Sequence, residues 1–258
     1  MKKLAAIVLL GILCLMVGCS LNGTEKRQEV LTLSVAASLT DCMTAMEESF
    51  KRQYPDIKLQ FNFGASGTLQ QQIQQGAPVD VFFSAGKKQM QALNEKGLLV
   101  EDSMEDILVN RLALIVSKNE TNTITFENIA REPIQPIAIG EVESVPVGQY
   151  TLQVFDALGI TEALKPRLVY AKDVREVLSW VEVGSAAAGA VYETDAKMSN
   201  QVRISDLADE SLHSPIVYPI GIIKNTEHLQ SAHLFINFLK TEEAKNIWND
   251  YGFTPIFS

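Results

Sequence analysis

The 258-residue chain is poor in the residues that most often carry chemistry. It has three histidines and three cysteines. His213, His228 and His233 stand far from Cys14, Cys19 and Cys42, so no zinc-ligand spacing exists, and three cysteines make no disulfide framework. Basic residues are also in deficit. Twenty-two Lys and Arg face 31 Asp and Glu for a formal charge of −9, and no basic cluster stands out, which excludes nucleic acid as a partner. Internal repeats and Gly-, Pro- or Ser-rich stretches are absent. With 47% apolar residues, the composition is that of a globular protein able to bury one large core or two modest ones. The run Gly86-Lys87-Lys88 lacks the upstream glycine and the Ser or Thr of a phosphate-binding loop.

Long apolar runs are also missing, save one at the start. Lys2 and Lys3 precede an almost unbroken apolar stretch from Leu4 to Val17, followed by Gly18-Cys19. The stretch is shorter than the ~20 residues needed to span a bilayer and has the layout of an export signal. Leu15-Met16-Val17-Gly18-Cys19 resembles a bacterial lipobox, with Met16 where Leu is usual. The resemblance implies cleavage after residue 18, lipid on Cys19, and a protein anchored to the outer side of the cytoplasmic membrane. The signal takes two lysines and no acid with it, so the mature chain would carry 20 basic against 31 acidic residues. Cys42 is then left without a partner and is expected to be a small core residue. Residues 19–29 are polar and read as a tether.

Beyond residue 30, strand and helix patterns alternate, which predicts an α/β fold with largely parallel sheets. Leu31, Leu33 and Val35 alternate as a strand. Leu39, Met43, Met46 and Phe50 then follow helical spacing up to Tyr54-Pro55. Leu59, Phe61 and Phe63 form a second strand before Gly64-Ala65-Ser66-Gly67 and a glutamine-rich helix. The run from Val79 to Phe83 reads as a buried strand, and residues 87–95 as a helix closed by Gly97. An acidic surface stretch precedes a strand at residues 112–116. Further strands are expected at 137–139, 168–170 and 188–192, helices at 147–158 and 173–183, and two helices between 226 and 251.

Several strand-to-helix junctions have the chemistry of an anion site. The first N–H groups of a helix lack intrahelical acceptors and sit at the positive end of the helix dipole, so they attract an anion without any lysine or arginine. Ser38 and Ser66 each stand at such a junction with an added hydroxyl. Pro146-Val147-Gly148 starts a third helix, and Asp173 with Glu176, at capping-box spacing, starts a fourth. A single Ser, Asp or Pro at a helix start is more often a stability cap. Only convergence would make these a site, and spacing does not show convergence.

Taken in order, Val35-Ala36-Ala37-Ser38-Leu39-Thr40, Phe63-Gly64-Ala65-Ser66-Gly67-Thr68-Leu69, Pro78 to Ala85, Val145-Pro146-Val147-Gly148-Gln149-Tyr150 and Gly189 to Ala196 resemble the molybdate-binding proteins of ABC importers. The likeness covers nearly all of the chain past residue 30. It implies a type II periplasmic-binding-protein fold: lobe one of residues 30–112 plus 220–258, lobe two of 113–219, each a mostly parallel sheet flanked by helices, joined by two crossover strands. By position it implies that the hydroxyls and N–H groups of Ser38 and Ser66, the N–H groups of Val147 and Val174 and the phenol of Tyr192 surround the oxyanion, with no direct bond from protein to molybdenum. The chain departs from the family at Val147, usually Ala, and at Gly86, usually Asp. The implied protein is a monomer without catalytic activity or cofactor that binds molybdate, and tungstate, for an ABC permease.

Two other readings stand beside this one. The ligand could be another tetrahedral oxyanion such as sulfate or thiosulfate. From a different class, Gly64-Ala65-Ser66-Gly67-Thr68 partly matches the Gly-x-Ser-x-Gly elbow of a Ser66-dependent esterase, although Thr68 replaces the last glycine and a histidine base would still be needed.

Overall fold

The computed structural model describes residues 28–257. The expected export signal, Cys19 and all but the end of the expected tether lie outside the described residues. The first strand, β1 (Glu29–Ala36), buries Leu31, Leu33 and Val35 completely, as period-two alternation requires. A short 3-10 turn over Ala37–Leu39 leads into helix α1 (Thr40–Gln53). Leu39, Met43, Met46 and Phe50 are fully buried in this segment, and each such side chain contributes roughly 1.5–3 kcal/mol. Phe50 packs edge-on against Phe235 and Phe238. Pro55 keeps Tyr54 out of the helical region, and α1 ends there.

Then follow β2 (Ile57–Gly64), α2 (Ser66–Gln74), β3 (Val81–Phe83), α3 (Lys87–Glu95), β4 (Glu105–Val109) and β5 (Leu112–Ser117). The second half of the order is β6 (Ile137–Gly140), α4 (Pro146–Ala157), α5 (Thr161–Leu164), β7 (Leu168–Ala171), α6 (Val174–Glu182), β8 (Ala188–Tyr192) and α7 (Glu193–Lys197). The chain finishes with β9 (Val202–Leu207), β10 (Val217–Ile222), α8 (Leu229–Phe238), α9 (Glu242–Asp250) and β11 (Thr254–Pro255). Gly76, Gly97, Gly159 and Gly184 end helices at positive φ, where L residues are strained.

These strands form two sheets, in the orders β11-β4-β10-β3-β1-β2 and β7-β6-β8-β5-β9. The chain passes from the first to the second between Val109 and Leu112, and back between Leu207 and Val217. Both sheets are mixed. Strands β1, β2 and β3 pair in parallel, as do β7, β6 and β8. β11 aside, which runs against β4 at the sheet edge, the reversed strands β5 and β10 are those that arrive from the other half. Each enters its sheet at the edge where the parallel strands end, so it runs against them.

The register of the parallel strands positions the site. Ala36 pairs with Gly64 and Val35 with Phe83, so β1, β2 and β3 finish together and Ser38, Ser66 and Ala85 leave from one edge. In the other sheet Gly140 pairs with Ala171 and Ile137 with Ala188. The turns to Val147 and Val174, and the end of β8 at Tyr192, therefore share an edge as well. The two edges face each other. Ligands of open α/β sheets occupy the C-terminal edge for this reason.

The stretch read as acidic surface holds β4: Glu105 and Asp106 are half-exposed, but Ile107 and Leu108 are fully buried. Cys42 is buried in the core, where desolvation pushes its thiol far above the usual range. Trp248 is fully buried, its indole N–H donating to the Leu239 carbonyl at 3.0 Å.

Candidate functional site

Ser38, Ser66, Val147, Val174 and Tyr192 all line one small cavity of about 10 Å³ between the two sheets, close to the space of a single water. All five are buried, none more than 7% exposed. The structure thus brings to one place residues that lie up to 154 positions apart in the chain. Val174 and Ser66 are the first residues of their helices and Val147 the second after Pro146, so their N–H groups have no intrahelical acceptor. The residues before two of these helices, Ala65 and Val145, have no side chain able to cap them. Elsewhere Thr241 caps α9 through a hydrogen bond to the Ala244 N–H.

Asp173 is the one carboxylate in the lining, and it is turned to its own helix. It accepts the Glu176 N–H at 2.9 Å, while the Glu176 carboxylate reaches back to the Lys172 N–H at 2.8 Å. The expected capping box therefore forms one residue wider than its usual reach, and it leaves the Val174 N–H uncapped. No lysine, arginine or histidine is among the lining residues.

Hydroxyls complete the site. Ser66 Oγ accepts the Ala85 N–H at 3.0 Å. Ser38 Oγ lies 3.0 Å from Tyr218 Oη. Tyr192 Oη makes a long 3.4 Å bond to the Ala85 carbonyl, and its ring packs against Tyr218 at 5.6 Å. Burial pushes both phenols well above their ordinary pKa, so they keep their protons. Such an assembly of neutral donors suits a dehydrated anion that must also be released.

Contacts across the cavity rim hold the halves together. The Gly67 N–H donates to the Ser144 carbonyl at 2.8 Å, Gln89 Nε2 to Gln149 Oε1 at 3.3 Å, and Arg175 to Asp41 at 2.5 Å. On the far side Arg175 faces Asp195, whose side chain is fully buried, at 3.5 Å. Burial pushes the Asp195 carboxyl up to about 7 against the pull of Arg175. Glycine is required where backbones meet: a Cβ on Gly148 would lie 2.0 Å from the Gly140 carbonyl, which is how α4 begins so close to β6.

Ser144 and the Asp41–Arg175 pair have no local sequence signal as site residues. The larger groove on the six-stranded half, of about 660 Å³, is a poorer candidate. Of its two carboxylates, Asp80 and Glu227, Asp80 is already satisfied by the Thr32 N–H and the Thr226 hydroxyl. His228 lines that groove and His213 a different cavity, so neither is placed to act as base for Ser66.

Residues 31–254 match the family model described as bacterial extracellular solute-binding protein. The chain belongs to that family. Its members bind solutes for ABC transporters and are not enzymes, which removes the esterase reading. Among curated relatives, this solute-binding protein is 41% identical over 244 residues to YvgL of Bacillus subtilis, described as a candidate ABC transporter substrate-binding lipoprotein, covering 93% of each chain. It is 35% identical to the molybdate-binding protein ModA of Haemophilus influenzae, covering 87% of this chain and 89% of that one. Among solved structures it is similar to the substrate binding domain of a candidate molybdenum ABC transporter from Clostridium difficile. That match has a TM-score of 0.69 and 42% identity, and covers 88% of this chain and 99% of the other. The two-sheet α/β architecture is that of the type II periplasmic binding proteins.

Proposed function

We propose that this protein captures molybdate, with tungstate as a second ligand, outside the cytoplasmic membrane and delivers it to an ABC permease. The observation that carries the reading is the convergence of the five expected donor residues on one small cavity with no cation in its lining. Relatives named for molybdate support the choice of ion. In this reading the hydroxyls and N–H groups of Ser38 and Ser66, the N–H groups of Val147 and Val174 and the Tyr192 phenol hold the four oxygens. Hydrogen bonds to a charged partner contribute roughly 1.5–3 kcal/mol each, and desolvation and lobe closure offset much of the sum.

The two sheets with their helices form the two lobes, hinged at residues 110–111 and 208–216. Ligand binding draws them together, and the permease reads the closed form. The protein acts as a monomer held at the membrane by lipid on Cys19. A thermal-shift titration tests the ligand assignment. At 1,000 times its dissociation constant a ligand stabilises the native state by about 4 kcal/mol, so molybdate and tungstate raise the melting temperature by several degrees while sulfate, thiosulfate and phosphate do little. A flat response to molybdate beside a clear one to sulfate overturns the assignment.

A further inference from the structure

The two crossings between the sheets meet at Asn110. Its backbone N–H donates to the Ile216 carbonyl at 3.1 Å, joining the outgoing segment to the returning one. Its side-chain Oδ1 accepts the Arg111 N–H at 2.8 Å. A backbone N–H can only donate, so this bond fixes which end of the amide is oxygen and leaves the NH2 end facing two hydroxyls. Those are Thr194 Oγ1 at 2.9 Å and Tyr218 Oη at 3.3 Å. Thr194 stands two residues after Tyr192 on one side of the cavity. Tyr218, on β10, reaches Ser38 on the other.

Counting hydrogens along this path gives it a direction. Asn110 supplies a hydrogen to Tyr218 Oη, which favours the arrangement in which the phenol gives its own single hydrogen to Ser38 Oγ, 3.0 Å away. With that acceptor position filled, the Ser38 hydrogen is free for the cavity. Ser66 is set the same way by the Ala85 N–H, so both serines face the cavity as donors. We propose that Asn110 and Tyr218 are positioning residues that hold Ser38 as a hydrogen-bond donor to the bound oxyanion, and that the Asn110–Thr194 bond ties this setting to the turn that carries Tyr192. The inference rests on the molybdate reading and adds to it the residues that orient its donors.

A double-mutant cycle on the full mature protein tests it, with molybdate affinity measured by titration calorimetry. Asn110→Asp turns the donor into an acceptor. It captures the Tyr218 hydrogen, forces Ser38 to donate to Tyr218, and lowers affinity by roughly 10- to 100-fold, the scale of one hydrogen bond to a charged group. Tyr218→Phe leaves the Ser38 hydrogen undiverted but removes the group that orients it, and lowers affinity by a smaller factor. In a Ser38→Ala background both substitutions lose their effect, because the group they orient is gone. A purely structural role, or repulsion of the anion by the new carboxylate, costs the same in either background and overturns the proposal. So does undiminished affinity in both single variants of a protein that binds molybdate. A parent protein that binds no molybdate overturns instead the functional reading beneath it.

Discussion

Gly67 meets Ser144 across the cavity with no room for a side chain. Its N–H donates to the Ser144 carbonyl at 2.8 Å, and a Cβ built on Gly67 would fall 2.5 Å from that oxygen and 2.7 Å from the Ser144 Cα. Both obstructing atoms are backbone and belong to the opposite sheet's half, so the strain is relieved by separating the halves. Gly67→Ala is therefore expected to leave the melting temperature of the unliganded protein unchanged and to weaken molybdate binding by about tenfold or more, from an overpacking cost of roughly 1–3 kcal/mol. Calorimetric titration beside a melting curve checks both halves of that statement; equal affinity in the variant would mean that this contact does not accompany binding.

Removing the Tyr192 or the Ser66 hydroxyl separates donor loss from packing loss. Tyr192→Phe keeps the ring against Tyr218 and removes only Oη, whose bond to Ala85 is already long at 3.4 Å. Ser66→Ala removes a donor and also strands the Ala85 N–H. Each should lower molybdate affinity by about 1.5–3 kcal/mol, and Ser66→Ala alone should lower the melting temperature of the unliganded protein as well.

The contrast between what the sequence reveals and what it hides follows from the range of each interaction. The face of Leu39, Met43, Met46 and Phe50 was legible because helical periodicity is local. The ends of β1, β2 and β3 were legible as junctions, but their alignment depends on strand register, which no short window contains. The Ser38–Tyr218 bond joins residues 180 positions apart. Only resemblance to a family placed Ser38, Ser66, Val147, Val174 and Tyr192 together beforehand. β4 escaped notice for a different reason: its polar residues Glu105 and Asp106 outweigh Ile107 and Leu108 in so short a strand.

Arg175 carries the one ion pair among the described residues that joins the two halves, at 2.5 Å from Asp41. Asp41 follows Ser38 by three residues and Arg175 follows Val174 directly, so this pair bridges the two lips of the cavity. Both side chains are about a third exposed, which limits the gain to about 1 kcal/mol or less. Asp41→Asn should thus speed molybdate dissociation by a few-fold with little change in association. High salt should reproduce the effect in the parent protein and add nothing in the variant. Stopped-flow kinetics at two ionic strengths would show it; salt dependence that survives in the variant would locate the electrostatics elsewhere.

Arg175→Gln should cost more than Asp41→Asn, because Asp195 depends on the same guanidinium. The Asp195 side chain is fully buried and its Oδ2 has no partner among the described residues. Burial raises its carboxyl from an ordinary value of 3.8 to about 7. Between those values the native protein holds a proton that the unfolded chain has released. The contribution of Asp195 to stability is therefore full below about pH 4 and is lost as pH rises through about 7. Asp209 and Glu243, whose carboxyls are held below their usual range by Ser211 and by Ser49 with Arg52 respectively, act in the opposite sense. The test is accordingly the difference between parent and Asp195→Asn in denaturant unfolding from pH 4 to 8. The amide keeps the neutral character of the protonated acid, so the variant should gain on the parent as pH rises. Parallel curves would mean that Asp195 stays ionised beside Arg175 throughout, and that the guanidinium outweighs both the desolvation of the pair and the repulsion from Asp41.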